Sequence, residues 1–173
     1  ISKNIIATSS KNRFGEVGGI AVFQHKANGF EEIEVDHMEV KNEIGATYTE
    51  TMFGHKIMTI SVESLVTDAQ AAYGLRNCNG YNRNRLTQIL GILSYYGRIN
   101  FNDKDVYVAI SNGLWTDDVN IELAIANSII SSYYNKSIIS KATGYIKLNG
   151  RVVDGYIDGE EINHIDDLIQ RYR

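Results

Sequence analysis

The sequence predicts a mixed α/β fold, with a central mixed sheet, antiparallel strands in its N-terminal half and helices packed on it. Three observations carry that prediction. Val106-Tyr107-Val108-Ala109-Ile110 is a short, unalternated run of β-branched and aromatic residues, the pattern of a strand buried on both faces. Before Ser64 the chain alternates with a period of two and carries hairpin signals; after it, apolar residues recur at helical spacing. The resulting order is antiparallel strands, helix, buried strand, helix, hairpin, helix, which is how a sheet covered by helices is written in sequence.

Taken in order, Lys3 to Thr8 reads as a short strand, Ser9 to Gly19 as a glycine-rich loop, and Gly19 to Lys26 as a second strand. Asn28-Gly29 marks a hairpin through a type I′ turn. Phe30 to Lys41 continues with alternation, and a second hairpin is expected from Ala46 to Val62, turning at Phe53-Gly54. Thr67 is placed to cap a helix over Asp68 to Leu75, which the stretch Asn77 to Asn84 breaks. An amphipathic helix then runs to about Tyr96, with Leu86, Ile89, Leu90 and Leu93 on one face and Gly97 as its C′ residue. Asp118 is a good N-cap for a helix through about Tyr134 whose apolar stripe is Ile121, Ile125, Ile129 and Tyr133. Tyr145 to Ile157 reads as a hairpin turning at Asn149-Gly150. A last helix is expected from Glu160, entered through Asp158 with Glu161 three residues on, and burying Ile162, Ile165, Leu168 and Ile169.

A chain of 173 residues with 43% hydrophobic and 22% charged residues is most simply one domain, residues 1–173, with one core. The net charge of −4 gives no global basic character, so any nucleic-acid contact has to come from a local patch. The single cysteine, Cys78, excludes an internal disulfide framework and a zinc site built from several cysteines. No apolar run approaches the length of a membrane span. Ile1 to Ala7 is too short and polar for a signal peptide, and a reduced, cytoplasmic setting is the default expectation. The absence of proline and the richness in Ile, Asn, Tyr and Lys are typical of an AT-rich genome, such as that of a phage, plasmid or low-GC bacterium.

Ligands of helix-covered sheets bind beyond the carboxyl ends of buried strands, so a site is expected near Asn112 to Asp118. Residues 69 to 102 contain Arg76, Arg83, Arg85 and Arg98 and no acid, with Tyr81 among the interleaved tyrosines. Arginine near aromatic faces suits phosphates and stacked bases, which makes Arg76, Tyr81, Arg83 and Arg85 the candidate nucleic-acid contacts. The plainer reading is a solvated helix face above core tyrosines. Asp154, Asp158, Glu160, Glu161, Asp166 and Asp167 form an acidic end. A divalent cation fits there, as does simple complementarity between carboxylates and a helix N-terminus. Asp36-His37 superficially matches an HNH nuclease but lacks the second histidine or cysteines. No nucleophile elbow, phosphate loop or dinucleotide fingerprint is present.

Three short stretches, read with the order of elements, resemble the ribonuclease H-like superfamily. Ile5-Ile6-Ala7-Thr8-Ser9-Ser10, with its glycine-rich loop and Gly18-Gly19-Ile20-Ala21-Val22, resembles the family's first two strands. Thr67-Asp68-Ala69-Gln70-Ala71-Ala72 is similar to its Thr-x-x-Glu-x-x-Ala helix start, and Asn163-His164-Ile165-Asp166-Asp167-Leu168-Ile169 to its terminal metal-binding helix. The resemblance implies a nucleic-acid-associated domain from a phage, plasmid or other mobile element, with Mg²⁺ as cofactor. Family catalysis uses about four carboxylates around two metal ions. At the matching positions stand Ser9, Gln70, Asn112 and Asp166, which implies a catalytically degenerate member. In a shifted register the catalytic candidates are Asp68, Asp117, Asp118 and Asp166, with Asp166 and Asp167 as metal ligands. The related actin-like architecture, whose phosphate loop falls near Glu16-Val17-Gly18, gives the alternative: a structural or self-assembling filament or virion component without enzymatic activity.

Overall fold

The structure is a computed structural model and describes residues 4–8, 13, 20–33, 40–53 and 56–173. Ser9, the glycine-rich loop apart from Arg13, the continuation of the Phe30 strand with Asp36-His37, and the Gly54 turn lie outside the described residues.

Three antiparallel strands open the chain: β1 (Asn4–Thr8), β2 (Ile20–Lys26) and β3 (Gly29–Ile33), in the order β1-β2-β3. The expected hairpin is present, but its turn is Ala27-Asn28. Lys26 pairs with Gly29, and Gly29 itself carries the positive φ of 125°.

The second sheet is the mixed one. Its strands are β4 (Ala46–Phe53), β5 (Lys56–Asp68), β6 (Arg76–Asn79) and β7 (Lys104–Ile110), in the order β4-β5-β7-β6. β4, β5 and β7 pair antiparallel, while β6 runs parallel to β7. A parallel neighbour needs a crossover, and α1 (Arg83–Gly97) supplies it. β7 is central, as its composition predicts, but it is buried on one face only. Val106, Val108 and Ile110 are at most 2% exposed, whereas Tyr107 and Ala109 are half-exposed on the other side. Next to them stand Leu65, 56% exposed, and Asn77 and Asn79. The sheet has helices on one side and an open face on the other, so an unalternated sequence here reflects strand propensity rather than double burial.

The helix predicted over Asp68 to Leu75 does not form. β5 runs on to Asp68, which pairs with Lys104 across the sheet, and residues 70–73 form a bend after it. Alanine-rich sequence favours a helix, but an apolar face is what holds a short one, and Ala69 to Ala72 has none.

α1 begins at Asn82, whose Oδ1 accepts from the backbone N–H groups of Asn84 (2.8 Å) and Arg85 (3.3 Å). Its predicted stripe of Leu86, Ile89, Leu90 and Leu93 is buried, and the left-handed residue that ends it is Arg98, one position after Gly97. Asp118 caps a single 3-10 turn, Val119–Ile121, and α2 (Glu122–Tyr134) follows. α2 is buried almost all round from Glu122 to Ser131 and packs on β4 and β5. Its serines tie it to the sheet: Ser128 Oγ lies 2.6 Å from Ser64 Oγ, and Ser132 Oγ accepts from Val66 N–H at 2.9 Å.

The third sheet is a meander of β8 (Ala142–Ile146), β9 (Arg151–Ile157) and β10 (Glu160–His164). The Asn149-Gly150 hairpin forms as expected, closed by Gly150 N–H to Lys147 O at 2.9 Å. The helix expected from Glu160 starts only at Ile165, as α3 (Ile165–Gln170). Asp158 and Gly159, at φ +46° and +89°, form a second two-residue hairpin turn, so Glu160 to His164 is a strand. Asp-Gly is a type I′ signal as much as a capping signal, and the turn prevails because β9 offers Ile162 a partner in Gly155. Tyr48 bridges to Lys141, which links this meander to the edge strand β4.

Candidate nucleic-acid interface

The acids singled out from the sequence do not converge. Asp68 lies at one end of the mixed sheet, 2.5 Å from the Lys104 ammonium, whose hydrogen bond and charge hold its carboxyl below the usual range. Asp118 lies beyond the other end, accepting from Thr51 Oγ1 at 2.8 Å and from Asn120 N–H at 2.9 Å. Six residue steps separate the Asp68–Lys104 pair from the Val62–Ile110 pair, about 20 Å of strand. Gln70 sits at the first end and Asn112 at the second, so the supposed metal positions are apart as well. Asp117 is exposed in the loop after β7. That loop is held by Thr116 N–H to Gly80 O at 3.0 Å.

Asp166 and Asp167 start α3. Asp167 accepts from the backbone N–H of His164 (3.3 Å), and Asp166 lies 3.1 Å from His164 Nδ1. The Asp167 carboxylate is engaged in capping and that of Asp166 faces the His164 imidazole, and no group of three metal-ligating side chains occurs among the described residues. The donor set does not fit a two-metal centre, and no chemistry is derived through Mg²⁺.

The arginines separate by what they touch. Arg76 donates to the backbone oxygens of Lys104 (2.5 Å), Phe101 (2.5 Å) and Leu75 (2.9 Å), so it stitches the start of β6 to the loop before β7. Burial lowers its pKa, opposed by Asp105. Arg85, in the first turn of α1, reaches Glu122, which is fully buried at the start of α2. Nε donates to Oε1 at 2.7 Å and Nη2 to Oε2 at 2.6 Å. Tyr81 OH donates to the same carboxylate at 2.9 Å, and Ile146 N–H at 3.2 Å. Burial opposes the charge on Arg85, but its bonds to Glu122 outweigh that and raise its pKa. Burial first, and then Glu122, pushes the Tyr81 phenol up. Arg85 and Tyr81 thus form a joint between α1, α2 and β8. Of the four nucleic-acid candidates, Arg83 alone stands exposed on the surface.

The joint lays the β8–β9 turn alongside α1. Ile146 lies at the level of Arg85, Leu148 beside Gly91 and Tyr95, and Gly150 against Tyr96. Exposed cations stand on both elements: Arg83 and Arg98 at the ends of α1, and Lys147 and Arg151 in and just after the turn. Neither element contributes an acid: the chain has none from Ala69 to Asn102 and none from Leu123 to Val153. The carboxylate that touches both elements, Glu122, is fully buried and neutralised by Arg85. Lys147 and Arg151 were missed in sequence, although the second acid-free stretch signals them. Between α1 and the turn runs a groove of about 450 Å³ lined by Gln88, Gly91, Ile92, Tyr95, Tyr96 and Leu148. A second concavity, of about 510 Å³ on the open sheet face, is bordered by Glu43 and Glu63 with Leu65 and Tyr107. Its carboxylates disfavour an anion.

No helix among the described residues is long and apolar enough to cross a membrane. No family model matches the chain. Curated relatives do. A DNA repair protein RadA of Helicobacter pylori is 29% identical over 155 residues, covering 86% of this chain and 35% of the relative. The proteins of the same name from Rickettsia bellii and Aquifex aeolicus are each 32% identical, over 154 and 132 residues, covering 85% and 74% of this chain and 34% and 30% of the relative. These matches overturn the ribonuclease H-like resemblance, the phage, plasmid or mobile-element source, and both functional readings drawn from them, the degenerate nuclease and the self-assembling component. The chain spans about a third of the length of the curated relatives it matches, and over most of its own length it is similar to bacterial DNA repair proteins named RadA.

Proposed function

We propose that this chain is a DNA-contacting domain of a RadA-like DNA repair protein, and that it holds the phosphate backbone on the face made by α1 and the β8–β9 turn. The observation that carries this reading is the packing of two acid-free stretches, far apart in sequence, side by side, with four exposed cations between them on a chain whose net charge is −4. A local cationic surface on an acidic protein is the electrostatic footprint of an anionic partner. Asn82, Asn84 and Asn149, exposed on the same elements, add neutral hydrogen-bonding groups of the kind that position a backbone. The relatives' printed name, DNA repair protein, supports DNA as the anion.

Fluorescence anisotropy with labelled DNA at a series of salt concentrations tests it. The wild-type chain is expected to bind at low salt, with affinity falling on a log–log slope of about −0.7 to −0.9 per phosphate contact. Four contacts put the slope near −3 to −4. No binding at low salt, or a slope near zero, contradicts the proposal.

A further inference from the structure

We propose that His164 makes the DNA affinity of this face respond to pH: as its imidazole takes up a proton, the charge beside the β8–β9 turn rises by one and a phosphate backbone binds more tightly. The inference rests on the DNA reading above and adds its regulation.

The β8–β9 turn is held beside α1 at two points. One is the Arg85 joint, which reaches Ile146. The other is His164, whose side chain is 31% exposed. Its ring meets Tyr96 of α1 edge-on at 5.0 Å. On the turn it stands so close to Gly150 that a Cβ added there would lie 2.6 Å from Nε2. The backbone is fastened at the same place, by Ile165 N–H to Gly150 O at 2.8 Å. The imidazole is therefore fixed in position, touches both elements of the face and is open to solvent.

A neutral imidazole has one nitrogen that donates and one that accepts, and an imidazolium has two donors. Nδ1 of His164 accepts from the backbone N–H of Asp166 at 3.2 Å, which requires the neutral ring with its proton on Nε2. The Asp166 carboxylate stands 3.1 Å from the same nitrogen, and it gains a hydrogen bond only from the protonated ring. One atom thus faces two partners that it cannot satisfy together, and the proton decides between them. A proton taken from solvent onto Nδ1 exchanges the helix cap for an ion pair with Asp166. Four other ionisable groups surround the junction. The Asp167 carboxylate accepts from the N–H groups of Asn163 and His164, Arg151 is the register partner of His164 on β9, Lys147 lies in the turn and Tyr96 on α1. The two acids favour the imidazolium and the two cations oppose it. Histidine changes charge between about pH 5 and 8. A phosphate laid on the turn favours the charged ring, and by linkage the charged ring favours the phosphate to the same extent.

The test is the Kd for labelled DNA at one low salt concentration from pH 8.5 down to 5.5. The wild type is expected to tighten about three- to tenfold, the scale of one added phosphate contact at low salt. His164→Asn keeps an oxygen that caps a helix and loses the proton, so it should match the wild type at pH 8.5 and stay flat below. An NMR titration of the His164 ring in the wild type reads the same coupling from the other side: saturating DNA should move its midpoint up by about 0.5 to 1 in pH. Asp166→Asn, without DNA, should move that midpoint down. Equal tightening in the wild type and His164→Asn, a midpoint that DNA leaves unchanged, or one indifferent to Asp166→Asn overturns the switch and leaves the phosphate-binding face standing. No binding at low salt at any pH overturns both.

Discussion

Glu122→Ala is expected to lower the free energy of unfolding by about 3–5 kcal/mol, the range found when one partner of a buried ion pair is removed. Glu122 is fully buried and accepts from Arg85, Tyr81 and the backbone N–H of Ile146. Its loss strands a half-buried guanidinium and two buried donors at once. Each stranded donor costs about 1–3 kcal/mol of desolvation, but the three share one acceptor, so their costs do not add. Replacing both members of the pair, as in Arg85→Met with Glu122→Leu, should recover part of the loss, because an apolar pair leaves nothing unsatisfied. Urea unfolding followed by circular dichroism measures both. A loss below about 1 kcal/mol for Glu122→Ala would mean that the joint between α1, α2 and β8 is held by other contacts.

The second large effect is expected at Asn127, fully buried in α2. Its Nδ2 donates to Thr47 Oγ1 (2.8 Å) and Ile139 O (3.1 Å), and its Oδ1 accepts from Tyr172 OH (2.8 Å). One side chain thus fastens β4, the segment before β8 and the second residue after α3. Thr47 and Tyr172 are at most 1% exposed, so water cannot replace the lost partner. Asn127→Ala should cost about 3 kcal/mol, from two or three buried groups left unpaired. Combined with Tyr172→Phe it should cost clearly less than the sum of the two singles, as expected for residues in one network. Strict additivity in that double-mutant cycle would show that the tyrosine and the asparagine act independently.

Much of the scaffold was legible because local signals and tertiary demands agreed. The helical spacing of Leu86, Ile89, Leu90 and Leu93, the Asn149-Gly150 turn and the central position of Val106 to Ile110 all appear in the structure. The misreadings have a common cause, in that one local signal serves two structures. Thr67-Asp68 suits a helix cap, yet Asp68 finds Lys104 across the sheet and the strand continues. Asp158-Gly159 suits a helix entry, yet β9 gives Glu160 to His164 a strand to pair with. The candidate surface was half legible for a different reason. Charge is visible in sequence, but its neutralisation is not. Arg85 looks as free as Arg83 until Glu122, distant in sequence, is folded against it, and Arg76 is consumed by backbone oxygens. Lys147 and Arg151 look like ordinary surface residues until the Arg85 joint brings their turn beside α1.

The most direct test of the account is a comparison of two triple variants in the salt-dependent DNA-binding experiment. One carries Arg83→Gln, Lys147→Gln and Arg151→Gln on the proposed face. The other carries Lys104→Gln, Lys141→Gln and Arg171→Gln, which removes the same formal charge from cations that are ion-paired to Asp68, Glu50 and Glu160. The face variant should keep its circular dichroism spectrum, lose affinity by a factor of about 100 or more at low salt and flatten the log–log slope by about 2–3. The other variant should bind nearly as the wild type does. Equal losses in the two, or an unchanged slope in the face variant, would contradict the claim that α1 and the β8–β9 turn hold the DNA.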